Sequence, residues 1–177
     1  MKKFISLIIV CVLMLGLCAC SSEPTLVGTT PINNSENEAQ TTSGAKSFKL
    51  GDSVELDDVV VSFTDLTTSN GSEFNKPADG KVFVLCEFEI TNNSSEDLAV
   101  SSIMSFEAYC DDYSCELSFG ALMEKGDKDQ LDGSVAAGKK MKGVVGYELP
   151  TDWQALEIQY SLNLLSSDKI IFVATNG

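Results

Sequence analysis

Any chemistry in this chain must come from cysteines, carboxylates and lysines: its 177 residues include no His, and all 12 basic residues are Lys. Histidine is the commonest general base near neutral pH and the commonest metal ligand. Without it, Ser-His-Asp and Cys-His catalysis are excluded in their usual form, and a zinc site would need Cys and carboxylate alone. Paired carboxylates could hydrolyse a glycoside, but a sugar cleft also wants aromatic platforms, and the chain has one Trp and four Tyr. The expectation is a protein that is not an enzyme and carries no cofactor.

Of the six cysteines, Cys20 has the clearest context. Met1-Lys2-Lys3 is followed by an apolar run from Phe4 to Ala19. That run is shorter than the roughly 20 residues a spanning helix needs and suits the hydrophobic region of a signal peptide. It ends in Leu17-Cys18-Ala19-Cys20, which resembles a bacterial lipobox: a branched aliphatic, a tolerant position, a small residue, then cysteine. The pattern predicts a signal peptide over 1–19, cleavage before Cys20 and diacylglycerol on its thiol. The product would be lipid-anchored on the outer face of the cell membrane, held firmly because it carries more than one acyl chain.

Cys86, Cys110 and Cys115 remain. Cys110 and Cys115 bracket Asp111-Asp112-Tyr113-Ser114, read as a four-residue hairpin loop. Residues flanking such a loop face each other with Cβ atoms ~4.5–5.5 Å apart, against about 3.8 Å in a disulfide, so a Cys110–Cys115 bridge is possible in an oxidising compartment. The alternative is a pair of small buried hydrophobes, as expected for Cys86. No cationic residue nearby in sequence would activate a thiol.

The acids form two groups. Asp127, Asp129 and Asp132 before Gly133 are weak calcium candidates, because the spacing departs by one residue from a calcium loop and the downstream bidentate Glu is missing. A solvated loop is the better reading. Asp111-Asp112 and Asp57-Asp58 form the other group, with nothing in the sequence to bring the pairs together. Lys139, Lys140 and Lys142 are read as edge-strand lysines that discourage sheet-to-sheet aggregation. After cleavage, ten lysines face 26 acids, a net charge of −16. Nucleic acid is therefore excluded as a partner, since it binds through Lys and Arg.

The elements that must position these residues begin after a spacer. Residues 20–46 read as the lipidated Cys and a linker rich in Ser, Thr, Asn, Glu and Gln, too polar to fold, with an average reach of about 30 Å as a coil. Residues 47–177 read as one domain. Its apolar residues recur every second position: Val59-Val61-Phe63, Val82 to Ile90, Met104 to Cys110, Cys115-Leu117-Phe119, Val145-Tyr147-Leu149 and Leu156 to Leu162. Ile170 to Val173 is apolar on both faces and reads as a central or well-covered strand. Asn70-Gly71, Pro77 to Gly80, Asn92 to Ser95, Asp132-Gly133 and Pro150 to Asp152 mark turns. Trp153 is expected to plug one end of the core. The fold class is all-β: an antiparallel sandwich of seven to eight strands.

The stretch from Pro77-Ala78-Asp79-Gly80 through Phe83-Val84 to Ile90-Thr91-Asn92-Asn93, with Gly138, Gly143, Tyr147, Pro150 and Leu156 to Tyr160, resembles one family. That family is the uncharacterised telokin-like, immunoglobulin-like domain found on lipoproteins of Gram-positive bacteria. The similarity spans roughly residues 48 to 175. It implies an immunoglobulin-like sandwich outside the cytoplasm and transfers no catalytic residue. The function expected is a protein-interaction module, attached to the membrane through lipid on Cys20 and serving an envelope or secreted protein, with the loop from Gly120 to Gly133 as its surface. The alternative is a small-ligand or calcium-binding envelope lipoprotein.

Overall fold

Period-two alternation produces strands whose inner residues form one core. In the computed structural model, which describes residues 22–30, 46–163 and 167–177, they are β1 (Thr25–Thr29), β2 (Ser47–Lys49), β3 (Asp52–Leu56), β4 (Val59–Ser69), β5 (Lys81–Asn92), β6 (Leu98–Ser101), β7 (Phe106–Cys110), β8 (Tyr113–Cys115), β9 (Asp132–Val135), β10 (Lys140–Pro150), β11 (Ala155–Ser161) and β12 (Lys169–Thr175). A short helix, α1 (Phe119–Met123), lies between β8 and β9. The first sheet runs β1-β3-β4-β5-β10, the second β2-β12-β11-β7-β8, and β6 pairs with β9. The signal segment 1–19 and Cys20 lie outside the described residues, and no described helix is long and apolar enough to cross a membrane.

The inner faces meet in an aromatic spine. Phe63 stacks on Phe88 at 4.7 Å, both meet Phe172, and Phe88 continues through Phe106 to Tyr160. Trp153 is buried against this core, as expected. Sheets packed face to face in this way exclude water from both inner rows, and each fully buried Phe contributes roughly 1.5–3 kcal/mol.

The described residues hold twelve strands where the pattern predicts seven or eight. β1, β2, β6, β8 and β9 each have three to five residues, too few to display an alternation. Among the described strands one pairing, β2 with β12, is parallel and the others antiparallel, and an isolated bridge between Gln130 and Val144 is also parallel. β1 falls inside the segment expected to be unstructured. It pairs antiparallel with β3 although four of its five residues are exposed. Its two large apolar residues, Leu26 and Val27, are adjacent and exposed, so it has no buried face, and it needs none, because an edge strand is held by its backbone ladder. Thr30 N–H donates to the Gly51 carbonyl at 2.8 Å and Thr29 Oγ1–H to Asp52 at 2.9 Å.

Three further expectations shift. The Cys115-Leu117-Phe119 alternation does not continue as a strand: β8 stops at Cys115, and Ser118 caps α1 by accepting from the Ala121 N–H at 3.1 Å. A Ser N-cap satisfies an amide the helix leaves unpaired, which starts a helix where a strand was expected. Met104 lies exposed before β7, and Asp132-Gly133 opens β9 instead of turning the chain.

Candidate binding groove

The β7–β8 hairpin turns more tightly than its sequence suggests. Asp111 and Asp112 have φ of 49° and 68°, both left-handed. Aspartate tolerates this region better than most residues, and two such residues in a row close a two-residue hairpin. Cys110 therefore pairs with Tyr113, and Cys115 with Ala108. The cysteines are diagonal neighbours instead of directly opposed, and their two thiols hydrogen-bond each other across that diagonal. Both are free thiols. The loop expectation behind the bridge is thus corrected from four residues to two.

The turn is fixed from below. The Asp111 carboxylate accepts from the Gln154 N–H at 3.0 Å and the Ala155 N–H at 2.8 Å, tying the hairpin to the start of β11. Burial, then the Asp111 charge, pushes the Cys110 thiol up to about 12. Burial also raises Cys115. Cys86 sits in the core and is raised by burial and by Asp65. All three stay protonated at neutral pH, which makes them poor nucleophiles.

Beside the hairpin lies an open groove of about 710 Å³, between β8 and the ends of β5 and β10. Leu117, Leu149, Pro150 and the two thiols give it an apolar floor. Lys81 and three acids, Asp111, Glu116 and Glu148, also line it. Glu148 is braced by accepting the Ala78 N–H at 2.9 Å. Tyr113 is 80% exposed at the mouth. β8 is the edge of its sheet. Because Cys110 and Tyr113 close the turn, alternation of the ladder turns the Ser114 amide and carbonyl to the open side. An unpaired edge beside an apolar floor is the arrangement that accepts an extended peptide as an added strand.

The other predicted positions are dispersed. Asp132 accepts from the Ser102 N–H at 3.0 Å and from its hydroxyl at 2.8 Å. The backbone carbonyl of Asp129 accepts from the Val144 N–H. Asp127, Asp129 and Asp132 do not converge, and the described residues include no group of three His, Cys, Asp or Glu able to hold a metal. The two Asp-Asp pairs lie at opposite ends of the sandwich: Asp57-Asp58 joins β3 to β4 beside the C-terminus of β5, and Asp111-Asp112 sits at the groove by the N-terminus of β5. Lys140 and Lys142 do lie on an edge strand, paired to Glu89 and Glu87, each at 2.8 Å.

The Gly120–Gly133 segment is a cover more than a free loop. Ala121, Leu122 and Leu131 are buried, with Leu122 packed on Leu85 and Val144 on the outer face of the first sheet. A Cβ on Gly146 would come within 2.9 Å of the Ala121 Cβ, so the bare backbone lets α1 seat. Lys128 pins the far end to Glu87 at 3.1 Å and Asp65 at 3.2 Å. Burial alone would raise the pKa of Glu87, but hydrogen bonds from Lys142, Lys128 and Thr64 and the Lys128 charge outweigh it, holding the carboxyl below its usual range. Phe119 and Met123 remain exposed on the outside of the cover. Sequence reasoning missed the groove. The available signal was Asp111-Asp112, a pair that accepts left-handed backbone at both positions.

Comparison with known proteins places the fold in a family. Residues 48–171 match the family described as Domain of unknown function (DUF4352). Among solved structures, yjhA from Bacillus subtilis is similar at 16% identity and a TM-score of 0.57, over 72% of this chain and 97% of that one. The candidate lipoprotein ycdA from Bacillus subtilis subsp. subtilis str. 168 is similar at 18% identity and a TM-score of 0.56. That likeness covers 67% of this chain and only 37% of ycdA. An uncharacterized β-sandwich protein from Clostridium difficile 630 aligns at 14% identity and a TM-score of 0.47, over 77% of this chain and all of that one. Among curated proteins, none matches the sequence. At these identities the likenesses to yjhA and ycdA carry the fold alone.

Proposed function

The chain belongs to the DUF4352 family, and we propose that its β-sandwich is a protein-interaction module of a membrane-anchored, extracytoplasmic lipoprotein, taking an extended segment of an envelope or secreted protein into the groove beside β8. The observation that carries the reading is the open edge of β8 beside a groove with an apolar floor, three carboxylates and one lysine. Backbone pairing at Ser114 would supply affinity. Leu117, Leu149 and Pro150 would receive alternate apolar side chains, and the carboxylates would favour a segment with basic residues. The volume lies within the range of ordinary binding sites.

The anchor rests on the lipobox-like Leu17-Cys18-Ala19-Cys20 and on the resemblance to the candidate lipoprotein ycdA. Nothing favours an enzyme: the groove has no His, and its two thiols are held protonated. The calcium alternative loses its support with the dispersal of Asp127, Asp129 and Asp132.

The test is a titration of the protein with a probe peptide of alternating Lys and Val, followed by amide NMR. The expected result is shifts concentrated at Tyr113 to Leu117, abolished by Ser114→Pro. That variant removes the outward amide but leaves the hairpin bonds of Tyr113 and Cys115 in place. Shifts spread evenly over the acidic surface, and unchanged in Ser114→Pro, would reject the groove.

A further inference from the structure

The order of the strands fixes which end of the domain meets the anchor. Thr25 pairs with Glu55, Leu56 with Val59, and Val59 with Asn92. The chain therefore enters the first sheet at the end that holds the Asp57-Asp58 turn and the C-terminus of β5. The groove is lined by Lys81, the first residue of β5, and by its register partner Pro150. Twelve residues of β5, at about 3.3 Å each, place the two ends on the order of 40 Å apart.

β1 also shortens the leash. Cys20 to Thr25 is five residue steps, so with β1 paired the strand start lies at most about 17 Å from the anchor. If β1 were unpaired, the whole of residues 20–46 would be free, a coil with an average reach of about 30 Å and a far longer limit. The pairing has a buried fastening. Asp52, 6% exposed, accepts from the Thr29 hydroxyl through one carboxylate oxygen and from the Lys49 N–H through the other, at 2.9 and 3.0 Å. One side chain thus ties the end of β1 to β2, on either side of the segment that joins them. Leaving a buried carboxylate without these donors is costly.

We propose that β1 clamps the domain close to the membrane surface with its Asp57-Asp58 end inward, so that the groove faces outward, away from the bilayer. The clamp rests on the reading that Cys20 carries lipid. With β1 paired, only the residues before Thr25 set the reach. A groove presented outward is open to a secreted or wall-side segment and closed to the lipid surface.

The experiment uses the full lipidated chain in vesicles containing a headgroup-labelled acceptor lipid, with a fluorescent amino acid placed at exposed Ser95 or at Tyr113. Ser95 follows Asn92 at the inward end, and Tyr113 marks the groove. Energy transfer is expected to be several-fold stronger from position 95. A Gly/Ser insertion of about ten residues after Ser22 should cut the transfer from position 95, and the same insertion after Asn37 should leave it unchanged. Equal losses from the two insertions would overturn the clamp while leaving the anchor standing. Wild type that binds vesicles no better than Cys20→Ala would instead overturn the anchor, and the clamp with it.

Discussion

The two five-stranded sheets treat their outer faces differently. In the second sheet β11 and β12 alternate strictly, with Leu156, Ile158, Tyr160, Ile170 and Phe172 buried and the residues between them half-exposed. In the first sheet β5 is buried without a break from Val82 to Phe88, and β10 from Gly143 to Tyr147. The difference is α1 and the chain after it, which lie over Phe83, Leu85 and Val144. A sheet with one wet face needs only alternation, whereas a sheet covered on both faces also needs outward apolar residues and glycines where the cover touches. Gly146, in the outer row with Val144, serves there: a Cβ on it would come within 2.9 Å of the Ala121 Cβ.

The sharpest way to break this comparison is to truncate the same kind of side chain on both outer faces. Leu85→Ala, beneath the cover, is expected to cost about 2–4 kcal/mol in urea unfolding, and Ile171→Ala, on the wet face, less than about 1 kcal/mol. Equal costs would mean that the cover contributes nothing. Next in size, Gly146→Ala should lower stability by about 1–3 kcal/mol through overpacking against Ala121. Gly28→Ala on β1, where a Cβ would meet Ser53 at an ordinary 3.7 Å, should be close to neutral in the same urea unfolding.

The third test is electrostatic. Glu87 has a depressed folded-state pKa, so its contribution is present above the unfolded value of 4.5 and is lost as pH falls through the lower folded value. Wild type should lose stability below about pH 4.5 partly for this reason. Glu87→Gln should cost about 1–2 kcal/mol at neutral pH and flatten that part of the curve, as read by melts from pH 7 to 3. The smallest effect is a gain. Replacing Asp57-Asp58, with φ of 49° and 60°, by Asn-Gly should add about 0.5–1 kcal/mol, because Gly reaches the left-handed region without strain.

The sandwich itself was legible because its long strands carry their faces in period two: Val59 to Phe63, Val82 to Ile90 and Leu156 to Tyr160 all bury the residues the alternation selects. The burial of Trp153 followed from its place after Pro150. What stayed hidden depends on contacts distant in sequence. β1 has no apolar face, and only the edge of β3 gives it a partner. Phe83 and Leu85, apolar on the outward side of β5, were the unread sign of a cover, and the five residues of α1 are too few to show a helical period. The groove joins Lys81, Cys110 to Ser118 and Glu148 to Pro150, brought together only by the meeting of two sheet ends.

The most direct test of the groove is in living cells: a photo-crosslinking amino acid at Tyr113, with the same group at Ile171 on the wet face of the second sheet as reference. The account predicts a discrete adduct from position 113, joined to one extended, lysine-bearing segment of its partner, absent from position 171 and lost in Ser114→Pro. Adducts that are the same from both positions, or that survive Ser114→Pro, would contradict it.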